Sequence, residues 1–319
     1  MNSTHCLLFI PAKDEEKTIA AVIAACVLQL QKAFSSYSVL VVNDGSSDNT
    51  ESVAKAAGAT VITHKTNRGL GRAFQRAVSY AIDQKVDYML TIDADGQFSP
   101  EEIPKFFNKQ KEEEADMVTG SRFLQDSKLS GIPKIKRYGN HSMTALVNSL
   151  LRSSFTDVSC GYRLYTREAL LHLTLSGDFT YTQEVFLNLG YKQKRICEVP
   201  ISVQYFATRK SRIAHNLWQY AKRTSAIIFK SVFKYKPFQL LGSISALFFL
   251  LGMVITLPLS YRFFVFHVIS PYKSLAIIGL FFLMLSFFSI ILGVILHTMS
   301  QSLLQIEHIL YYEKKSQTT

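Results

Sequence analysis

The stretch Leu90-Thr91-Ile92-Asp93-Ala94-Asp95-Gly96-Gln97 decides how this chain is read. An apolar run ends in two carboxylates one residue apart. Such a run reads as a buried strand, and a strand alternates its side chains, so Asp93 and Asp95 are expected to point the same way. At the carboxyl end of a parallel sheet they would face the crevice where open α/β sheets bind ligands. Hard oxygen donors in that place suit Mg²⁺ or Mn²⁺ holding a diphosphate. Taken alone, the triplet reads better as two solvated loop aspartates, so the neighbouring sequence has to decide.

Outward from it, residues 6–125 alternate strand and helix. Apolar runs predict strands over 6–11, 38–42, 60–63, 88–92 and 116–119. Ile19, Val22, Ile23, Val27 and Leu30 share one face of a helix over 17–32. Asn67-Arg68-Gly69-Leu70-Gly71 opens a helix to Ile82, and Ser99-Pro100-Glu101-Glu102 is a helix start. Strands that are apolar throughout, separated by helices, argue a mostly parallel, Rossmann-like α/β sheet covered on both faces. Residues 126–210 are less regular. A helix bearing Met143, Leu146, Val147, Leu150 and Leu151 follows the basic group Lys134, Lys136 and Arg137. Residues 168–175 and 184–189 read as helical, and 195–206 as a strand broken at Pro200. A boundary near 210 closes this domain, 1–210.

The hydrophobic share of 48% is locally concentrated. No charge occurs over the 22 residues 238–259 or the 23 residues 274–296. At about 1.5 Å per residue each can cross a ~30 Å hydrocarbon core. The other reading is a pair of core helices in a soluble domain. The net charge of +11 is local too, since no acidic residue lies between Glu198 and Glu307. Basic residues from Arg209 to Lys236 run directly into the first apolar stretch. Nucleic acid could meet such a run, but its position favours a cytoplasmic flank facing anionic headgroups. Apolar residues within it recur near helical spacing, predicting an interfacial amphipathic helix over 211–236. The remainder, 237–319, reads as a membrane module: two spans and a short cytoplasmic tail. The N-terminal apolar stretch lacks a basic flank and runs into Lys13-Asp14-Glu15-Glu16, so it is not read as a signal peptide. Four cysteines without CxxC spacing fit reduced cytosolic thiols.

The motifs fall in a definite order. Pro11-Ala12-x-Asp14-Glu15-Glu16 follows the first strand, Asn43-Asp44-Gly45-Ser46 the second, Gly69-Leu70-Gly71 opens the third helix, and the paired aspartates follow the fourth strand. Gly120-Ser121-Arg122, Ser159-Cys160-Gly161-Tyr162-Arg163 and Glu198-Val199-Pro200-Ile201 come later. As a set these resemble the family-2 glycosyltransferases of GT-A fold. With the two apolar stretches, the chain is similar to the dolichol-phosphate mannosyltransferase and polyprenyl-phosphate glucosyltransferase branch, over about residues 1–297.

The resemblance implies inverting transfer of one sugar from a UDP- or GDP-linked donor to a membrane polyprenyl phosphate. Position by position, it implies that Pro11, Ala12, Glu15 and Asp44 hold the base and ribose. Asp93, Asp95 and Gln97 would bind Mg²⁺ or Mn²⁺. Arg122 and Arg137 would take the acceptor phosphate, and Arg209 would close over the donor diphosphate. Asp93, Asp95, Arg122 and Arg209 would form the catalytic set. Arginine forks match phosphate oxygens, and an ionised acceptor phosphate needs no general base. Lys13 stands where the family has an aromatic, and Asn43 where it has the first of two aspartates. The closing segment is compressed to Arg209-Lys210-Ser211-Arg212. Arg163 and Glu184 could form a structural ion pair.

Two other functions are compatible with this outline: a processive polysaccharide synthase of the same fold, and an inactive membrane scaffold. The first lacks its Q-x-x-R-W motif here, since the chain's one tryptophan is in Asn216-Leu217-Trp218. The expected setting is a plasma (inner) or ER-type membrane with the catalytic domain cytoplasmic. No nucleic-acid partner is expected, and a homo-oligomer is compatible with the sequence.

Overall fold

The computed structural model describes residues 4–124, 134–175, 177, 180–204, 225–226, 229–268 and 270–318. They divide into two units, Met1–Ile228 with Leu310–Thr319, and Phe229–Ile309.

The first unit holds β1 (His5–Ala12), α1 (Ile19–Ala33), β2 (Ser36–Asn43), α2 (Thr50–Ala56), β3 (Thr60–Thr63), α3 (Leu70–Asp83) and β4 (Tyr88–Thr91). A 3₁₀ turn at Pro100–Glu102 leads into α4 (Ile103–Glu113), then β5 (Met117–Ser121) and α5 (Lys134–Leu151). β6 (Arg163–Thr166), α6 (Arg167–His172), α7 (Thr182–Tyr191) and β7 (Ile196–Pro200) complete it. The seven strands form one sheet in the order β3-β2-β1-β4-β6-β5-β7. β1 is buried on both faces, as its unbroken apolar sequence requires. Cys6, Leu8 and Ile10 join the core formed with Ile19, Ile23 and Leu30 of α1 and Phe106 of α4. On the other face Phe9 meets Phe74 of α3, with ring centroids 6.2 Å apart. The sheet is the mostly parallel α/β architecture that the β-α rhythm predicts, and it is GT-A-like, as the resemblance implies.

One strand departs from that rhythm. β6 lies between β4 and β5 and is antiparallel to both. Its sequence, Arg163-Leu164-Tyr165-Thr166, is four residues long and opens on a charge, so it carries no apolar run to announce it. Arg163 is nevertheless fully buried. It donates to the carbonyls of Thr182 at 2.9 Å and Val158 at 3.1 Å, and it lies over the Phe186 ring. Its donors go to these carbonyls, not to the Glu184 with which it could have paired; Glu184 accepts from the Gly177 N–H at 3.0 Å. The end of the chain also belongs to this unit: the Tyr311 hydroxyl donates to Glu168, and its ring stacks on His172.

The second unit contains a helical turn at 229–235, α8 (Pro237–Phe266) and the start of α9 (Lys273–Thr318). Both helices are long and apolar enough to cross a membrane. They pack antiparallel through small residues. A Cβ on Gly252 would lie 2.7 Å from Leu283, and one on Gly279 2.6 Å from Thr256. The Ser245 hydroxyl donates to the Ser286 carbonyl at 2.9 Å, which keeps its dipole paired in an apolar setting. Both helices outrun the expected spans of 238–259 and 274–296. Apolar composition marks a span, whereas a helix continues until a breaker, and residues 297–318 contain neither Gly nor Pro. Most of the expected interfacial helix over 211–236 lies outside the described residues.

The loop after β2 approaches the loop before α3 so closely that only glycine fits. Gly45 has φ +70°, and a Cβ there would lie 2.8 Å from the Asn67 nitrogen. Gly58 has φ +86° with open space around it. Gly45→Ala should therefore cost about 1–3 kcal/mol, and Gly58→Ala less, because only the latter is free of a clash. Thermal unfolding of the full-length variants checks the order.

Candidate active site

The crevice is built from loops at the carboxyl ends of β1, β2 and β4. The first two loops are laced together. Asp14 accepts from the Ser47 N–H at 2.7 Å, and the Glu15 N–H donates to the Thr50 hydroxyl at 2.7 Å. The Glu16 carboxylate accepts from the Asn49 N–H at 3.0 Å. Asn43 uses its side-chain oxygen to accept from the Ser46 N–H at 3.1 Å, so an amide serves where the family pattern has an acid. Pro11 and Ala12 end β1 beside Val42 and Asn43, and the Asp44 N–H donates to the Ala12 carbonyl at 2.9 Å. The Asp44 carboxylate binds His64 and the backbone N–H groups of Arg68 and Gly69. It thereby ties the β2 loop to the glycine loop that opens α3.

The paired aspartates are placed by a turn, which corrects the expectation that strand alternation aligns them. β4 ends at Thr91 and Asp95 lies in the turn that follows. Gly96 takes φ +71°, and the Gln97 N–H donates to Asp95 Oδ1 at 3.0 Å. The turn still brings the two acids together. Burial, then the charge of Asp95, push the Asp93 carboxyl up to about 7, while Arg122 opposes this and Glu15 adds to it. Asp93 therefore feels the charges of Asp95, Arg122 and Glu15. Thr91 donates to the Gly161 carbonyl at 2.6 Å, drawing that loop across the end of β4. A Cβ at Gly161 would lie 3.2 Å from Asp93 Oδ1, so a side chain there would crowd the carboxylate.

Arg122 follows β5 and is fixed by a residue that sequence reading does not single out. Its Nε and Nη2 donate to the two oxygens of Asp157 at 2.7 and 2.9 Å. Asp157 is fully buried. Its backbone N–H, with that of Thr156, donates to Glu198 at 2.9 Å. Burial raises the Glu198 carboxyl above its ordinary range, and these N–H groups oppose that. Arg122 is thus carried on a chain of three anchored groups. Asp157 is 35 positions from Arg122, so no local spacing links them. Arg137 is exposed on α5. One turn further on, Asn140 accepts from Ser159, two residues beyond Asp157. Arg209 lies outside the described residues.

The donor set suits a hard divalent cation. Asp93 and Asp95 offer carboxylate oxygens, and Gly161 leaves those of Asp93 uncrowded. Among the described residues no group of three or more His, Cys, Asp or Glu is assembled as a metal cage. Mg²⁺ and Mn²⁺ need no such cage, since substrate phosphates and water complete their shells.

Residues 8–174 match the family model described as glycosyl transferase family 2. The chain belongs to glycosyl transferase family 2. An uncharacterised protein of Methanocaldococcus jannaschii is 31% identical over 215 residues, covering 66% of this chain and 86% of the relative. The undecaprenyl-phosphate mannosyltransferase of Micrococcus luteus is 27% identical over 205 residues, covering 61% of this chain and 82% of its own. Among solved structures, glucosyl-3-phosphoglycerate synthase from Mycobacterium tuberculosis, in complex with Mn²⁺ and UDP-glucose, superposes with TM-score 0.56 at 18% identity. The superposition covers 72% of this chain and 79% of that one, and it shows the shared fold. In this family-2 glycosyltransferase the laced loops, the aspartate pair and the anchored Arg122 all follow strands that run the same way, at one end of the sheet.

Two outcomes follow from the geometry. Asp157→Asn should cost about 1.5–3 kcal/mol of stability and lower turnover, because Arg122 loses a charge-assisted fork. Thermal unfolding and steady-state kinetics measure both. Asp93 competes for protons near neutrality, since its carboxyl titrates at about 7. A carboxylate ligates a cation only when ionised, so, were Asp93 a ligand, Mn²⁺ affinity would rise with pH up to about 7 and level off above it. Titration of Mn²⁺ across that range checks the sign, and a flat profile contradicts it.

Proposed function

We propose that this family-2 glycosyltransferase moves one sugar, with inversion, from a nucleotide-sugar to a membrane polyprenyl phosphate. The observation that carries the reading is the joining, in one chain, of an aspartate-pair crevice beside Arg122 with two helices of membrane-crossing length. The relation to an undecaprenyl-phosphate mannosyltransferase supports the acceptor class. Under this reading Pro11, Ala12, Glu15 and Asp44 hold the base and ribose. Asp93 and Asp95, with Gln97, hold Mg²⁺ or Mn²⁺, which when bound would neutralise the departing diphosphate. Arg122 presents positive charge to the acceptor phosphate, Arg137 adds to it from α5, and Arg209 closes over the donor. The acceptor is already ionised and attacks without a general base, so the residues act by positioning and charge. The basic, acid-free stretch before α8 favours a cytoplasmic catalytic domain in a plasma or ER-type membrane.

The test incubates purified protein with radiolabelled nucleotide-sugars, polyprenyl phosphate and Mg²⁺ or Mn²⁺, and scores lipid-extractable product. Label should enter lipid with one donor and depend on the cation. Asp95→Asn should lower the rate about a hundred-fold or more, since several kcal/mol of charge stabilisation is lost. Lipid labelling that persists undiminished in Asp95→Asn, or that needs no cation, overturns the metal role. No lipid product from any donor overturns the acceptor.

A further inference from the structure

A ladder of short polar side chains fastens α5 to the segment 155–159 that leads towards β6. Asn148 accepts from the Phe155 N–H at 2.9 Å and returns an amide N–H to the Phe155 carbonyl at 2.8 Å. One turn earlier the Thr144 hydroxyl accepts from the Val158 N–H at 3.4 Å. A further turn back, Asn140 accepts from the Ser159 hydroxyl. Positions 140, 144 and 148 are four apart, so they share one face of the helix. Arg137 stands three residues before Asn140, a neighbouring position on that face, one turn nearer the start of α5.

The segment held by this ladder is the one that anchors Arg122. Asp157 Oδ1 takes Arg122 Nη2 at 2.9 Å and the Ser159 N–H at 3.1 Å. Ser159 therefore meets the anchor of Arg122 through its backbone and α5 through its side chain. Apolar packing alone lets a helix slide or turn slightly at small cost, whereas directional bonds at three rungs along about 12 Å of helix fix its register. Register matters to two guanidinium groups that address one phosphate, since a binding constellation has to be held to within about half an ångström. We propose that Asn140 and Ser159 are positioning residues, whose bond sets α5 so that Arg137 and Arg122 close on one phosphomonoester. The proposal rests on the reading of these two arginines as the acceptor-phosphate site.

Calorimetric titration of the full-length protein with farnesyl phosphate, a short prenyl phosphomonoester, tests it, with Mn²⁺ titration as a control on the aspartate pair. Asn140→Ala should weaken farnesyl phosphate binding about ten-fold, because a misplaced Arg137 gives up much of a charge-assisted contact, and should leave Mn²⁺ affinity as it was. Ser159→Ala removes the same bond from the other side and should weaken binding equally, while Ser159→Thr keeps the hydroxyl and should not. The deciding measurement is a double-mutant cycle: in an Arg137→Ala background, Asn140→Ala should have no further effect. An equal loss in both backgrounds marks a merely structural role and overturns the proposal. Farnesyl phosphate affinity that neither Asn140→Ala nor Ser159→Ala changes overturns it as well. Farnesyl phosphate that fails to bind the unaltered protein, or that binds Arg137→Ala unimpaired, overturns the underlying reading of the acceptor site.

Discussion

Two carboxylates held close at the end of β4, with one of them desolvated, are the constraint on which the crevice depends. Like charges so placed repel, and burial adds to the penalty on the charged form. The shift of Asp93 to about 7 expresses both effects. A protein keeps such an arrangement only where something positive compensates it or where function requires it. Arg122 supplies part of that compensation, and a divalent cation would supply the rest. Gly161, having no side chain, leaves Oδ1 of Asp93 uncrowded.

The remainder of the first unit holds that pair and its neighbours still. The β1 and β2 loops bond to each other through Asp14, Glu15 and Glu16, and Asp44 extends the lacing to the glycine loop before α3. On the other side β6 runs antiparallel between β4 and β5. That reversal delivers Gly161 to Asp93 and seats Arg163 behind it. Glu198, Thr156 and Asp157 then fix the fork of Arg122 from β7. Asp44, Asp95 and Arg122 are each held by hydrogen bonds within the protein, which is how a polar site can reach a working geometry without reorganising.

Much of this was legible in the sequence, for reasons that differ by element. β1, β2 and β4 announce themselves because strands buried on both faces must be apolar throughout. The aspartate pair is marked by its place after such a strand, although a turn at Gly96, and not strand alternation, sets its geometry. β6 was not legible: four residues opening on an arginine give no pattern, and Arg163 is buried only because distant carbonyls accept from it. Asp157 and His64 were missed for the same reason, since their partners are remote in sequence. The apolar spans were found from composition, but their helical ends were not, because hydropathy marks a membrane core and not the last turn of a helix.

The central claim is that the aspartate pair is the seat of a metal-bound diphosphate. Anomalous diffraction at the manganese edge, from crystals of the full-length protein grown with Mn²⁺ and UDP, tests it most directly. The expected result is a manganese peak within bonding distance, about 2 Å, of a carboxylate oxygen of Asp93 or Asp95, with the diphosphate bound beside it. A diphosphate bound away from both carboxylates, or a manganese peak that neither residue touches, would contradict it.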